Sequence, residues 1–281
     1  MPAPKTVTHH NDIVRDSFTT QAEAFAANPW VTDEERIHRL VAAARLKGDE
    51  RVLDIATGPG YIAEAIARSA REVIGLDLTD AMLSIARERT QQRGVTNVSF
   101  RIGDAQNLPF ESEEFDLVVS RLALHHVQNP LQALREMTRV LRHGGTVLIE
   151  DLFASEHPDR AAYHDRWEIL RDPSHVRAIP LSELLQLFRN AGLEIESVTT
   201  HDDLTPEVER WLATTQTPPD RAAEVRRLLE EDRLHDLSGT CPFHDATGRL
   251  HFHARTAILA GRKVKLQIYP VPSTSRSKQS T

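Results

Sequence analysis

The sequence predicts an α/β protein built around one mostly parallel sheet. Segments with the apolar patterns of strands and of helices alternate through residues 49–150. Parallel strands need such crossover helices, which also cover the faces of the sheet. A glycine turn, Gly58-Pro59-Gly60, joins the first strand to the first helix after it. The chain has 281 residues, of which 40% are hydrophobic, so it is long enough to bury a core against that sheet.

Each predicted element has a local signal. Apolar runs that end at turn residues indicate strands, and apolar residues every three or four positions indicate helices. Thr79 or Asp80 is expected to cap the second helix, Pro130 to start the third, and Gly144-Gly145 to form a turn. The predicted strands cover 49–56, 72–76, 98–102, 115–120 and 146–150, and the predicted helices cover 61–68, 81–92 and 131–141.

The segments on either side of this core are mainly helical. Amphipathic helices at 12–27 and 32–46 predict an N-terminal cap over residues 1–48. Behind the core we expect helices at 158–170, 182–191 and 206–234, the last broken by Pro218-Pro219, and strands at 193–199 and around 250–260. The main domain is therefore placed at 49–262, with insertions at about 152–181 and 203–248. Residues 263–281 lack periodicity and are expected to be a disordered tail.

Composition excludes several classes of partner. The net charge of −7 and the pI of about 6.1 give no basic footprint for nucleic acid or an anionic membrane. No apolar run reaches the roughly 18 residues that span a bilayer, and the first residues do not resemble a signal peptide. Cys241 is the only cysteine, so no internal disulfide can form. We expect a cytoplasmic protein with a small-molecule substrate, either monomeric or homodimeric.

Three carboxylates are expected to meet at one edge of the sheet. Asp54 ends the first strand, Asp77 ends the second, and Asp104 follows the third. Open α/β sheets bind ligands at this carboxyl edge. The glycine loop formally fits a dinucleotide fingerprint, but the carboxylates would repel a pyrophosphate, and the loop contains no Lys or Arg. S-adenosylmethionine fits better, because its sulfonium, ammonium, ribose hydroxyls and adenine amine favour negative charge or hydrogen-bond acceptors.

The motifs of residues 52–151 resemble those of the class I S-adenosylmethionine-dependent methyltransferases, in the group that includes the ubiquinone/menaquinone C-methyltransferases. The resemblance implies a Rossmann-like fold with a seven-stranded, mostly parallel sheet, helices on both faces, an N-terminal helical cap and helical insertions. It also implies methyl transfer from S-adenosylmethionine. Five motifs carry it: VLDIATGPG at 52–60, VIGLD at 73–77, GDA at 103–105 with LPF at 108–110, FDLV at 115–118, and RVLRHGG at 139–145.

The same resemblance implies a set of cofactor-binding residues. Asp54 would lie near the methionine ammonium, Asp77 would hold the ribose hydroxyls, Asp104 would meet the adenine edge, and Met82 would pack on the adenine face. Arg121 is placed with this set, although it could instead hold an acidic substrate or pair with a nearby carboxylate. The set comprises Asp54, Ala56, Thr57, Gly58, Pro59, Gly60, Asp77, Leu78, Met82, Gly103, Asp104, Ala105 and Arg121.

Catalytic candidates follow the fourth strand. A phenol or an acidic carbon must lose a proton before it is methylated, and His126, with His125 as second choice, has a suitable pKa and position. These imidazoles could instead cap a helix or line the pocket. The substrate candidates are Phe25, Tyr61, His175 and Arg177, although His175 and Arg177 could equally belong to a turn that caps the next helix. Segments 18–30 and 203–237 are expected to close over the acceptor.

Other functions stay open at this stage. The Asn-Pro-Pro-Tyr pattern of amine methylation is absent at 120–123, which favours C- or O-methylation, but that segment also departs from the quinone enzymes. A protein of this fold that binds the cofactor without transferring its methyl group, such as a cyclase or a binding subunit, is one alternative. An RNA or protein methyltransferase is another. Cys241, His244, His251 and His253 match no zinc spacing, so a β-hairpin is predicted there and no metal.

Overall fold

A seven-stranded sheet runs through the computed structural model, which describes residues 10–265. The strands of this sheet are β1 Arg51–Ile55, β2 Glu72–Asp77, β3 Val98–Ile102, β4 Phe115–Arg121, β5 Leu141–Leu152, β6 Leu193–Leu204 and β9 Ala254–Lys263. Two short strands, β7 Phe243–His244 and β8 Leu250–His251, pair with each other outside it. The helices are α1 His10–Ala26, α2 Pro29–Thr32, α3 Glu34–Ala44, α4 Tyr61–Ala67, α5 Asp80–Gln92, α6 Pro130–Val140, α7 Pro158–Arg171, α8 Leu181–Asn190, α9 Val208–Thr214 and α10 Pro219–His235.

The order of strands across the sheet is β3-β2-β1-β4-β5-β9-β6. Strands β1 to β5 pair in parallel, whereas β9 is antiparallel to both of its neighbours. Because the strand order reverses between β1 and β4, the carboxyl ends of these strands border a crevice, which is where open α/β sheets bind ligands. The α/β fold class expected from the sequence is confirmed.

Two apolar layers lie on opposite faces of the sheet, because successive side chains of a strand point to opposite sides. Leu53 and Ile55 pack in the layer that includes α6 and α8, whereas Val52 packs in the layer that includes α3 and α4. The third cluster is separate and lies among the insertions. Its aromatic centre consists of Trp167, Trp211 and Phe252, whose ring centroids are 5.0 to 5.3 Å apart.

Several boundaries differ from those predicted. The predicted helix 32–46 begins only at Glu34, because Asp33 caps it by accepting hydrogen bonds from Glu35 N and Arg36 N. Strand β5 starts before the predicted turn at Gly144-Gly145, where its pairing with β4 changes register. The predicted strand 250–260 splits into β8 and β9, because the buried Phe252 turns into the aromatic cluster. The predicted hairpin is confirmed, and it is formed by β7 and β8.

The ends of the chain fall partly outside the described residues. Strand β9 continues to Lys263, the first residue of the predicted tail, and residues 266–281 lie beyond the described part. Within residues 10–265, no helix is both long enough and apolar enough to cross a membrane.

Candidate active site

A cleft opens at the carboxyl ends of β1, β2 and β4, and α1 lies over it. It holds about 1120 Å³ of non-protein space, part of it open to solvent. Fifteen of the predicted site residues line it: Phe25, Asp54, Ala56, Thr57, Gly58, Pro59, Tyr61, Asp77, Leu78, Met82, Gly103, Asp104, Ala105, Arg121 and His126.

Asp54 is a buried carboxylate on the wall of this cleft. Its side chain is almost fully buried and accepts a hydrogen bond of 2.6 Å from Thr57 Oγ1. No cationic side chain of residues 10–265 forms an ion pair with it. Burial raises the pKa of Asp54 to about 7, and the nearby Asp77 adds to that shift. A buried carboxylate without a cationic partner is suited to a cationic ligand such as a sulfonium or an ammonium.

Asp77 holds the glycine loop against the end of β2. Its carboxylate accepts hydrogen bonds from Gly58 N at 2.8 Å and from Thr79 N at 2.9 Å. Burial nevertheless raises its pKa above the ordinary value for an aspartate. The neighbouring Ala56, with φ of 54°, adopts a left-handed conformation that non-glycine residues rarely take. The loop that lines the cleft is therefore fixed by its own contacts before any ligand is considered.

Asp104 lies at the other end of the cleft and joins it to the N-terminal helix. Its Oδ2 accepts a hydrogen bond of 2.8 Å from Asn11 Nδ2, and its Oδ1 accepts one of 2.8 Å from Gln106 N. Carboxylate oxygens of this kind could also accept from an exocyclic amine. The prediction that three aspartates meet at the sheet edge agrees with this geometry.

Gly60 requires a correction, because it does not line the cleft. It precedes α4 with φ of 80°, and a Cβ atom there would lie 2.9 Å from the Cβ of Ala86 and 3.3 Å from the Phe100 ring. The glycine is therefore needed for the close packing of α4 and α5, and not for the approach of a ligand to the backbone.

Arg121 is committed to other parts of the protein. Its Nε lies 2.9 Å from Glu150 Oε2, and its two terminal nitrogens donate to the carbonyls of Val31 and Trp30 at 3.0 and 3.2 Å. Both charged side chains are buried. Of the alternatives considered for Arg121, pairing with a nearby carboxylate is the one that this geometry supports. The guanidinium also ties the N-terminal segment to the end of β4.

The two histidines after β4 have different environments. His125 does not line the cleft: its Nδ1 lies 2.5 Å from Asp151 Oδ1, which opposes the effect of burial and raises the pKa of His125. His126 lines the cleft and packs edge-to-face against Phe18. Burial, together with the adjacent His125, lowers the pKa of His126 to about 3, so its imidazole is neutral at pH 7. His126 therefore presents a neutral imidazole to the cleft but resists protonation in the empty site, whereas His125 is held by Asp151.

His175 and Arg177 also require correction, because neither lies on the cleft wall. The side chain of His175 is fully buried, and its Nε2 lies 2.9 Å from Asp165 Oδ1. Arg177 forms a two-point ion pair with Glu183 at 2.8 and 2.5 Å. The segment of these two residues is fastened behind His125, whose carbonyl accepts from Val176 N at 2.8 Å. These contacts favour the alternative in which His175 and Arg177 belong to the local structure of their own segment and not to the substrate site.

The N-terminal helix contributes Asn11 and Val14, which the sequence analysis did not assign to the site, together with Phe18 and Phe25 of the predicted covering segment. Asn11, Val14, Phe18 and Phe25 all face the cleft, at the spacing of one side of a helix. Tyr61 Oη donates to the carbonyl of Ala26 at 2.8 Å and so fixes the end of this helix. For Asn11 and Val14, the amphipathic pattern of α1 was the only signal for this role.

The second expected covering segment, 203–237, contributes no residue to the cleft wall. It packs against α7 and supports the N-terminal segment from behind, where Asn28 Nδ2 donates to Thr214 Oγ1 at 3.1 Å and Gln216 Nε2 donates to the carbonyl of Thr20 at 3.1 Å. The expectation that it covers the acceptor directly is therefore wrong.

No group of three or more His, Cys, Asp or Glu side chains within the described range is arranged to hold a metal ion. In the hairpin, His244 Nε2 lies 2.7 Å from Glu230 Oε1, and His251 Nε2 lies 3.3 Å from Asp245 Oδ2.

Comparison with known proteins places this cleft in a family. A family model described as a methyltransferase domain matches residues 53–149. The uncharacterized methyltransferase YcgJ of Bacillus subtilis is 33% identical over 208 residues, which are 74% of this chain and 82% of YcgJ. The crystal structure of YcgJ superimposes with a TM-score of 0.76 at 31% identity, covering 83% of this chain and 99% of that one.

More distant similarities involve proteins with different reactions. The ubiquinone/menaquinone biosynthesis C-methyltransferase UbiE of Ectopseudomonas mendocina is 34% identical over 140 residues, which are 47% of this chain and 55% of UbiE. The [4+2]-cyclase SpnF shares the fold, with a TM-score of 0.67 at 24% identity over 92% of this chain and 97% of SpnF. The acidic cleft and the similarity to YcgJ agree, and the chain belongs to the class I S-adenosylmethionine-dependent methyltransferases, with S-adenosylmethionine as its cofactor.

Proposed function

We propose that the enzyme methylates an uncharged small molecule at an oxygen or an acidic carbon, and that His126 accepts the proton which this acceptor loses. The observation that carries the proposal is the position of His126 on the cleft wall, with its Nδ1 3.0 Å from Ser174 Oγ. Its Nε2 forms no hydrogen bond with any described residue. An acceptor proton could therefore be taken there.

The charges of the cleft support an uncharged acceptor. Four charged side chains of the described residues line the cleft. Three are the carboxylates of Asp54, Asp77 and Asp104, and the fourth is the guanidinium of Arg121. Since all three guanidinium nitrogens of Arg121 already have partners, no free cation of the described lining is available to hold a carboxylate or phosphate of the acceptor. Around His126 the wall is apolar, formed by Phe18, Leu124, Val127 and Met137 among others.

The cofactor-binding role of the cleft residues is part of this proposal. Asp54 and the loop 56–59 would face the methionine portion, Asp77 the ribose, and Asp104, Ala105 and Met82 the adenine. Bound S-adenosylmethionine supplies a methyl group that is already activated on a sulfonium. The protein then has to position the acceptor, exclude water and take up one proton.

The experiment has two arms. Calorimetry measures S-adenosylmethionine binding, and incubation with the methyl-labelled cofactor and a panel of phenols, naphthols and 1,3-diketones measures transfer. His126→Ala should lower turnover by about 10² to 10⁴, the usual contribution of a general base, with little change in cofactor affinity. His143→Ala is the matched control, because His143 is half exposed and pairs only with Glu113 at 3.1 Å.

Two results would count against the proposal. Full turnover of a hydroxyl acceptor by His126→Ala would show that His126 is not the base. Tight cofactor binding with no labelled product from any acceptor would instead favour the alternative in which the protein binds the cofactor without transferring its methyl group.

A further inference from the structure

Ser174 connects His126 to a buried aspartate that the reaction outlined above does not use. Ser174 is fully buried, and its Oγ lies 3.0 Å from His126 Nδ1 and 2.5 Å from Asp172 Oδ1. Asp172 Oδ1 also accepts a hydrogen bond of 2.9 Å from Ser174 N. These three side chains form a continuous chain of hydrogen bonds that starts at the cleft wall and runs into the interior.

The position of each proton in this chain follows from the chemistry of its groups. Burial alone would raise the pKa of Asp172, but Arg171 and the Ser174 hydrogen bonds lower it, so Asp172 is an ionised carboxylate and can only accept. The single hydroxyl proton of Ser174 must therefore point to Asp172, because two oxygens 2.5 Å apart need a proton between them. Ser174 Oγ has only lone pairs left for His126. It follows that His126 Nδ1 carries the proton.

The chain is held in place by contacts outside the cleft. The backbone nitrogens of Val176 and Arg177 donate to the carbonyl of His125 at 2.8 and 3.3 Å, and His175 is fixed by Asp165. Ser174 is not among the residues that line the cleft. A residue in this place touches neither cofactor nor acceptor and can act only through the imidazole.

We propose that Ser174 and Asp172 are positioning residues that hold His126 in the Nδ1–H tautomer, so that the Nε2 lone pair faces the cleft and receives the proton of the acceptor. This inference rests on the proposed function of His126 as the base. The acceptor's proton passes to Nε2 while the bond from the acceptor to the methyl group forms and the methyl–sulfur bond breaks with its electron pair left on sulfur. The imidazolium that results keeps its Nδ1–H bond to Ser174.

Asp172 also opposes an electrostatic penalty at this site. The rings of His125 and His126 are 4.2 Å apart, and a protonated His125, paired with Asp151, disfavours a second positive charge on His126. The carboxylate of Asp172 acts in the opposite direction, through Ser174 and through space. A serine alone would fix the tautomer, whereas the aspartate also stabilises the charge that forms during the reaction.

The test measures the tautomer directly and needs no acceptor. Two-bond ¹H–¹⁵N correlation spectra of the histidine side chains, recorded at pH 7 on the full chain with S-adenosylhomocysteine as the probe ligand, distinguish Nδ1–H from Nε2–H. His126→Gln identifies the signals. Wild-type protein should show His126 as Nδ1–H. In Ser174→Ala the Nε2–H tautomer should become the major form, because Nδ1 loses the Ser174 oxygen as its acceptor.

The matched control is Ser238→Ala, which removes a buried serine that also donates to an aspartate, Asp232, but forms no hydrogen bond with a histidine of residues 10–265. Its His126 signals should match those of the wild type. An Nε2–H or mixed tautomer in wild-type protein would overturn the proposal, and so would an unchanged tautomer in Ser174→Ala. Since the wild-type tautomer is measured without the Ser174→Ala variant, a Ser174→Ala protein that fails to fold still leaves a decisive result.

Turnover and cofactor affinity separate this inference from the proposed function. With an acceptor from the panel, Ser174→Ala should lower kcat by less than the loss of the base itself, about 10² to 10⁴, and leave the KM for the cofactor unchanged. If wild-type His126 is Nδ1–H but His126→Ala retains full turnover, the proposed base fails while the chain of hydrogen bonds is confirmed. If His126→Ala is slow and the tautomer is Nε2–H, the base stands and the role of Ser174 fails.

Discussion

Asp54 should make the binding of S-adenosylmethionine depend on pH between about pH 5 and pH 7. Its carboxyl group is buried, has no cationic partner among the described residues, and has a pKa raised from 3.8 to about 7. In the empty cleft the group is therefore largely protonated below pH 7. Binding a cation next to it requires the carboxylate, so binding at low pH must release a proton.

The size of the effect follows from the shift. A pKa raised from 3.8 to about 7 corresponds to about 4 kcal/mol of penalty for ionising Asp54 in the empty site, at about 1.4 kcal/mol per unit. A bound cation offsets part of this penalty and lowers the pKa in the complex. The association constant should then fall by up to about tenfold for each unit that the pH drops below 7, and should level off above pH 7.

The assay is calorimetry in buffers of different ionisation enthalpy at pH 5, 6 and 7, which reports both affinity and proton release. Above about pH 7.7 the α-ammonium of the ligand would itself begin to titrate, so the range stops below that point. Asp54→Asn is the matched variant, since it keeps a group that can accept from Thr57 but cannot ionise. It should bind more weakly at pH 7 and lose most of the pH dependence.

The same shift has an opposite consequence for the empty protein. Because the pKa of Asp54 is higher in the folded than in the unfolded state, its contribution to stability is fully present below about pH 4 and is lost as the pH rises through 7.

An identical pH dependence of cofactor affinity in the wild type and in Asp54→Asn would refute the reasoning about binding. It would mean that Asp54 is not next to the ligand's positive charge, or that it is already ionised at pH 5.

Three further predictions concern packing and the N-terminal helix. Gly60→Val should lower the free energy of unfolding by at least about 2 kcal/mol in denaturant titrations, whereas Gly94→Ala, with positive φ but open space around it, should cost only about 1 kcal/mol. Arg121→Met should cost about 3 to 5 kcal/mol because it leaves a buried carboxylate without its partner, and the exposed Arg15→Met should cost less than about 1 kcal/mol. Amide hydrogens of residues 10–26 should exchange more slowly with S-adenosylhomocysteine bound, and unchanged exchange would show that α1 does not cover the ligand.

The sequence was most informative where one local signal determines a feature. The buried strand β1, the glycine turn and α4 are contiguous, so their order alone places Asp54 and Gly58 at the edge of the sheet. Asp77 and Asp104 follow strands that pair next to β1, and their convergence could be predicted because parallel strands end at the same edge.

Long-range packing could not be predicted in the same way. The position of His175 and Arg177 after β5 predicts a place near the substrate, but contacts with Asp165 and Glu183 hold their side chains elsewhere. Ser174 had no signal of its own, because its importance depends on a contact with His126, 48 residues away. Gly60 occupies a glycine position of the motif. It must be glycine, however, because a Cβ atom there would lie too close to Ala86 on another helix.

The placement of β9 has a consequence for how the molecule assembles. This strand is the last of the sheet in the chain, yet it lies between β5 and β6, where it pairs Thr146 with Arg262 and Leu193 with Lys263. During synthesis, β5 and β6 therefore emerge before the strand that separates them, and each presents an open backbone edge to other chains. The strands that carry the cofactor loop can pair early, but closure of the sheet must wait until residues 254–263 have been synthesised. Assembly is accordingly expected to be slow and sensitive to nascent-chain chaperones, and a protein stopped before Ala254 should be recovered as aggregate.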